Sequence, residues 1–195
     1  MEKINIKSNP YLFFDKETGE ILSFSELANL VKYCKPQEVN TNKNKTEELK
    51  LKLDDDFKNY GNRNLEVNGP NDGPFINEYH KLTGTSPGDP WCMSYVFGTL
   101  SKIGVKIIKT GYVPAMETWA KSNGIYSINP SPYDIMMLYD KDGPYHTGFV
   151  LSVEGDNITT QEGNTNIAGS PEGIGIFRRT RSISKCAFVK WQNIK

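Results

Sequence analysis

The chain changes character at Asn129-Pro130-Ser131-Pro132. Before this turn apolar residues recur at helical spacing, and after it they alternate or run in short blocks as in strands. On the amino-terminal side, Asn68-Gly69-Pro70-Asn71-Asp72-Gly73-Pro74 reads as a turn and helix start. Phe75, Ile76, Tyr79 and Leu82 continue that helix until Gly84 stops it. A second helix is expected to open with Asp89 as N-cap and Pro90 at the first helical position, to run through Met93, Val96, Phe97, Leu100 and Ile103, and to end at Gly104. A shorter one follows Pro114 through Trp119 to Gly124. On the carboxy-terminal side five strands are expected at 134–139, 146–153, 158–164, 174–181 and 187–191, with Glu154-Gly155-Asp156-Asn157 closing a tight hairpin. Helices first and antiparallel strands afterwards indicate an α+β domain.

The first 45 residues read as a separate small segment. Residues 11–34 suggest a hairpin and a short helix, and the polar stretch 35–47 reads as a linker, because it lacks the apolar surface to fix its own conformation. The expected division is therefore an appendage at 1–45 and a domain at 46–195. Lys and Arg number 23 and Asp and Glu 23, a balance that speaks against electrostatic capture of nucleic acid or of an anionic membrane. No apolar run approaches the roughly 20 residues of a membrane span, and the start of the sequence lacks a signal-peptide core, so synthesis in the cytoplasm is expected, with any export by another route. Three scattered cysteines, Cys34, Cys92 and Cys186, form no CxxC pair, so at least one thiol stays free.

Within this frame three segments carry chemistry. Cys92 falls in the first turn of the second helix, where unbonded backbone amides and the helix dipole favour a thiolate. His146 starts a strand, and the small residues Thr147 and Gly148 after it let a partner approach. Glu162 and Asn164 lie two positions apart on the next strand, so both are expected on one face, within reach of the second imidazole nitrogen. Thiol, imidazole and carboxylate in this order are the parts of a cysteine-nucleophile hydrolase, with Glu162 orienting the ring and Asn164 a polar neighbour. The backbone amide of Cys92 is the natural oxyanion donor, and Asn71 a second candidate. Cys34 and Cys186 read as structural, His80 as partly exposed in mid-helix, and the Arg178-Arg179-Thr180-Arg181 run as a solvated sheet face.

These segments together resemble the CHAP domain, the cysteine- and histidine-dependent amidohydrolase/peptidase family related in fold to papain and to the NlpC/P60 peptidases. The resemblance extends from about residue 60 to 195. It rests on Asn68–Pro74, Pro90-Trp91-Cys92, His146-Thr147-Gly148-Phe149-Val150, Glu162-Gly163-Asn164-Thr165-Asn166, Gly175-Ile176-Phe177-Arg178-Arg179 and Phe188-Val189-Lys190-Trp191. It implies a papain-like fold, helices packed on a mostly antiparallel sheet, and cleavage of peptidoglycan at a stem-peptide or cross-bridge amide or at the bond between muramic acid and L-alanine. It carries Cys92 over as nucleophile, His146 as base, Glu162 as third member and Asn164 as completing the polar group, with Trp91 and Tyr145 beside the substrate. Tyr145 stands where the family often has glycine, and Tyr133 where it usually has a small residue, both narrowing the cleft. The acidic calcium-binding loop of some phage lysins has no counterpart, so no metal and no other cofactor is expected. A monomeric phage or prophage lysin is the leading expectation, reaching the wall through a holin, a virion or a secretion system. An antibacterial toxin with an immunity partner, a silent wall-binding or virion module, and an amidase on a small glutathione-type conjugate are the alternatives.

Overall fold

A computed structural model describes residues 41–170 and 172–194. The hairpin and helix expected at 11–34, together with Cys34, lie outside these residues. The first described element is a helix, α1 (Thr41–Tyr60), which begins within the stretch 35–47 that the sequence suggests is a linker. Leu49 and Leu53 are buried and Phe57 packs against the same core, giving a stripe at i, i+4 spacing. Along its flanks Lys45 pairs with Glu48 at 2.8 Å and Lys52 with Asp56 at 2.5 Å. Polarity along 44–48 therefore marks a helical turn rather than unstructured chain.

The next three helices follow the expected punctuation. α2 (Pro74–Thr83) has Pro at its start and a left-handed Gly84, φ 84°, whose N–H reaches the His80 carbonyl. α3 (Cys92–Lys102) is buried at every position from Cys92 to Leu100. Such a helix belongs in the interior, and it lies between α2 and the sheet. Gly98 permits the contact with α2, because a Cβ there would sit 2.4 Å from the Tyr79 ring. α4 (Val113–Ser122) completes the layer. No described helix is long and apolar enough to cross a membrane.

Six strands form one antiparallel sheet: β1 (Tyr126–Ser127), β2 (Ile135–Asp140), β3 (Gly143–Glu154), β4 (Asn157–Thr165), β5 (Gly175–Ser182) and β6 (Cys186–Val189), in the order β1-β6-β2-β3-β4-β5. The architecture is α+β, four helices packed on the sheet, as the sequence implies. The β3–β4 hairpin closes with Glu154 opposite Asn157 and Gly155 at φ 58°. From β5 the chain returns through a short turn, Ile183–Lys185, to insert β6 between β1 and β2. One sheet face, with Ile135, Met137, Phe149 and Val189, joins the helices in the main core. The opposite face carries a smaller cluster of Met136, Leu138, Val150, Ile158 and Phe188, closed by Ile183 and Cys186.

Candidate active site

Cys92 is the first residue of α3, with Trp91 at the N-cap position. The helix therefore starts two residues later than the Asp89-Pro90 signal suggests. Asp89 instead accepts the Ser86 amide at 2.8 Å, capping the preceding turn. The shift places the Cys92 amide among the first-turn donors that have no acceptor within the helix. Gly163 on β4 lets this helix end press against the sheet, since a Cβ there would lie 2.7 Å from the Trp91 ring and 2.8 Å from Tyr95 Cβ.

His146 and Glu162 meet on the sheet face opposite the main core. Leu138 pairs with His146 and Tyr139 with Pro144, so Tyr145 is an extra residue on β3, a bulge that redirects the chain just before the histidine. Two positions on, Gly148 leaves room for the acid: a Cβ there would lie 2.6 Å from Glu162 Cγ and 2.7 Å from the Gln161 carbonyl. His146 Nε2 and Glu162 Oε2 are 2.9 Å apart, and both side chains are fully buried. Nδ1 makes no hydrogen bond of good geometry; the Cys92 thiol is the ring's other neighbour, close enough to stabilise its charged form. Burial opposes the charged ring most strongly, yet Cys92 and Glu162 outweigh it and raise the histidine from 6.5 to about 9.

Glu162 is held from three further directions. Arg181 donates Nε to Oε1 at 2.9 Å and Nη2 to Oε2 at 2.6 Å, and Thr160 donates its hydroxyl to Oε1 at 2.5 Å. Burial disfavours the carboxylate, but Arg181 first and His146 second overcome that cost and lower its pKa from 4.5 to about 2. Arg181 is thus part of the site, contrary to the solvated face expected for the 178–181 run. Its side chain is only 14% exposed. Arg178 lies on the other face, bound to Asp54 at 2.7 Å and to Gln161 at 3.2 Å, and Arg179 donates to the Ile167 carbonyl.

A cavity of about 570 Å³ opens above the thiol. Of the three central residues only Cys92 lines it, with His146 and Glu162 buried behind. Its walls include Pro90, Tyr112, Val113, Pro144 and Tyr145, and its charged lining residues are Asp89, Asp140 and Asp142.

Residues 84–164 match the CHAP domain family, and that span contains Cys92, His146 and Glu162. This stretch is a CHAP domain. CHAP domains are amidohydrolases that act on peptidoglycan. A solved structure similar to the chain is "The crystal structure of Ly7917", at 20% identity and a TM-score of 0.35, covering 58% of this chain. The match spans 61% of that other chain, less than two thirds of its length. No protein of curated function matches the sequence.

The remaining candidates take varied places in the fold. Tyr145 is 40% exposed and lines the cavity. Trp91 does not; it is fully buried, its indole N–H directed to Glu66 at 3.3 Å. Asn71 stands at the left-handed turn before α2, φ 55°, and commits its amide nitrogen to the Gly88 carbonyl at 3.3 Å, away from the cavity lining. Asn164 is buried but makes no hydrogen bond to His146. A second bulge between Glu162 and Thr165 breaks the strand alternation, and Asn164, at φ 56°, receives the Gly173 amide at 3.4 Å. His80 is buried rather than partly exposed, bonded to Thr85 at 2.7 Å and to the Asn71 carbonyl at 3.3 Å, where it fixes the loop leading to Cys92. Cys186 is half-buried and donates to the Ser182 carbonyl; burial, then the charge of Glu162, raise its thiol to about 11. Among the described residues no three His, Cys, Asp or Glu side chains cluster so as to hold a metal ion.

Proposed function

We propose that this CHAP domain hydrolyses a peptidoglycan amide through Cys92, His146 and Glu162. The observation that carries the reading is a thiol at a helix start beside an imidazole whose far nitrogen is bound to a buried carboxylate. The Cys92 sulfur attacks the carbonyl carbon, and its amide N–H, free of any helical partner, faces the developing oxyanion. As the C–N bond breaks, the protonated ring of His146 gives its proton to the departing amine. Water then enters, loses a proton to the same ring, and releases the acid and the free thiol. Glu162 fixes the ring orientation and offsets its charge throughout.

The convergence of all three groups favours an active hydrolase over a silent wall-binding or virion module. Three lining carboxylates, with no lysine or arginine among the lining residues, favour a stem or cross-bridge peptide that presents an amine near the scissile bond. Delivery by a phage, with the domain acting as a lysin, is the biological setting proposed, and a toxin paired with an immunity protein is its competitor. The test is digestion of purified peptidoglycan by the wild type and by Cys92→Ala, with new termini identified by mass spectrometry. Release by the wild type alone, with a new amine at a peptide bond, is the expected result. Equal release by both proteins refutes the assignment.

A further inference from the structure

We propose that Arg181 is a positioning residue of this site, locking Glu162 as an anion in the one orientation that serves His146 Nε2. The inference rests on the reading of Cys92, His146 and Glu162 as one reacting unit, and not on which amide is cleaved. Four hydrogen bonds converge on the carboxylate: Arg181 Nε and the Thr160 hydroxyl on Oε1, Arg181 Nη2 and His146 Nε2 on Oε2. A carboxylate held by a planar fork along one edge cannot rotate, so its lone pair stays aimed at the imidazole. Arg181 is anchored in turn. Nη1 and Nη2 both reach the Gly169 carbonyl at 3.4 Å, and Gly169, at φ 82°, has no Cβ to crowd the guanidinium.

No other lysine or arginine among the described residues bonds to Glu162. The charged and titratable groups around Glu162 are Cys92 from α3, Tyr145 and His146 from β3, Arg179 and Arg181 from β5 and Cys186 from β6. Arg179 is directed to the Ile167 carbonyl. Without Arg181 the buried carboxylate keeps His146 as its sole ionic partner, and its pKa climbs by about 1–3 units. Once protonated it no longer supports the imidazolium, and the thiol beside the ring loses activation. An acid-side loss that lies far below the working range in the wild type then enters it.

The test compares the full chain with Arg181→Met, Arg181→Gln and Arg181→Lys, measuring Cys92 alkylation by iodoacetamide from pH 3.5 to 9 and kcat and KM on peptidoglycan. The neutral variants are expected to show an acid limb moved up by about 1–3 pH units, with alkylation at pH 4 slowed by up to about tenfold and alkylation rates near wild type at pH 8. Arg181→Lys, which keeps the charge but not the fork, is expected to restore the limb while kcat stays lowered and KM unchanged. An equal loss at every pH, or none, overturns the proposal. Should the neutral variants fail to fold, Arg181→Lys decides alone, since a wild-type kcat would exclude positioning by the fork. Alkylation needs no substrate, so a shifted limb without wall cleavage would sink the proposed function and leave this inference standing.

Discussion

Replacing Glu162 by Gln preserves shape and removes one charge at the point where His146 and Arg181 meet. Folding lowers the carboxyl from 4.5 to about 2. At 1.36 kcal/mol per pH unit this corresponds to about 3 kcal/mol of stability, undiminished by solvent because the side chain is fully buried. A group with a depressed folded pKa contributes fully above its unfolded value and loses that contribution as pH falls. The advantage of wild type over variant is therefore complete above pH 4.5 and gone below about 2. His146 runs the other way: its contribution is present below 6.5 and fades as pH rises through about 9. The same attraction enters both shifts, so they share the energy rather than add. The difference between the two proteins should peak from pH 4.5 to 6.5 and shrink on either side. Arg181, left without a counter-ion, adds a roughly constant offset. Urea unfolding at pH 3, 5.5 and 9.5 is the assay, with the midpoint at pH 5.5 lowered by about 1–3 M. A difference that does not vary with pH would refute the ionic account of the site.

Gly148→Ala should cost about 1–3 kcal/mol by thermal melt and lower kcat more than KM, because the new Cβ meets Glu162 Cγ and an immovable backbone carbonyl. Leu53→Ala should destabilise the domain by about 2–5 kcal/mol in one cooperative transition, and a separate early transition would show that α1 is not part of the same unit. In peptide mapping after limited alkylation at pH 7, Cys92 should be labelled before Cys186, whose thiol is held near 11; the reverse order would contradict the site as drawn.

Much of this was legible in residue spacing. Proline and glycine punctuation delimits α2 and α4, and period-two alternation places five of the six strands to within a few residues. β1, two residues long, is too short for any periodicity to show. α1 stayed hidden because its first turns are polar and its buried apolar positions, Leu49 and Leu53, are single residues a turn apart. Arg181 was hidden differently. Alternation separates Arg178 from Arg179 and Arg181, but nothing in β5 itself says which face holds a buried carboxylate. Asn164 follows a glycine inside a strand, a bulge signal that outweighs simple alternation and removes it from the face of Glu162.

The stretch of β3 around the extra residue Tyr145 sets a constraint on length as much as on chemistry. Losing Tyr145 alone would restore regular pairing with His146 still opposite Leu138, whereas losing Thr147 just beyond it would set His146 opposite Met137, on the other face of the sheet and away from Glu162. A variant of this protein could therefore keep every reactive group and still be inert through a single-codon deletion, and a scan by substitution alone would never find it.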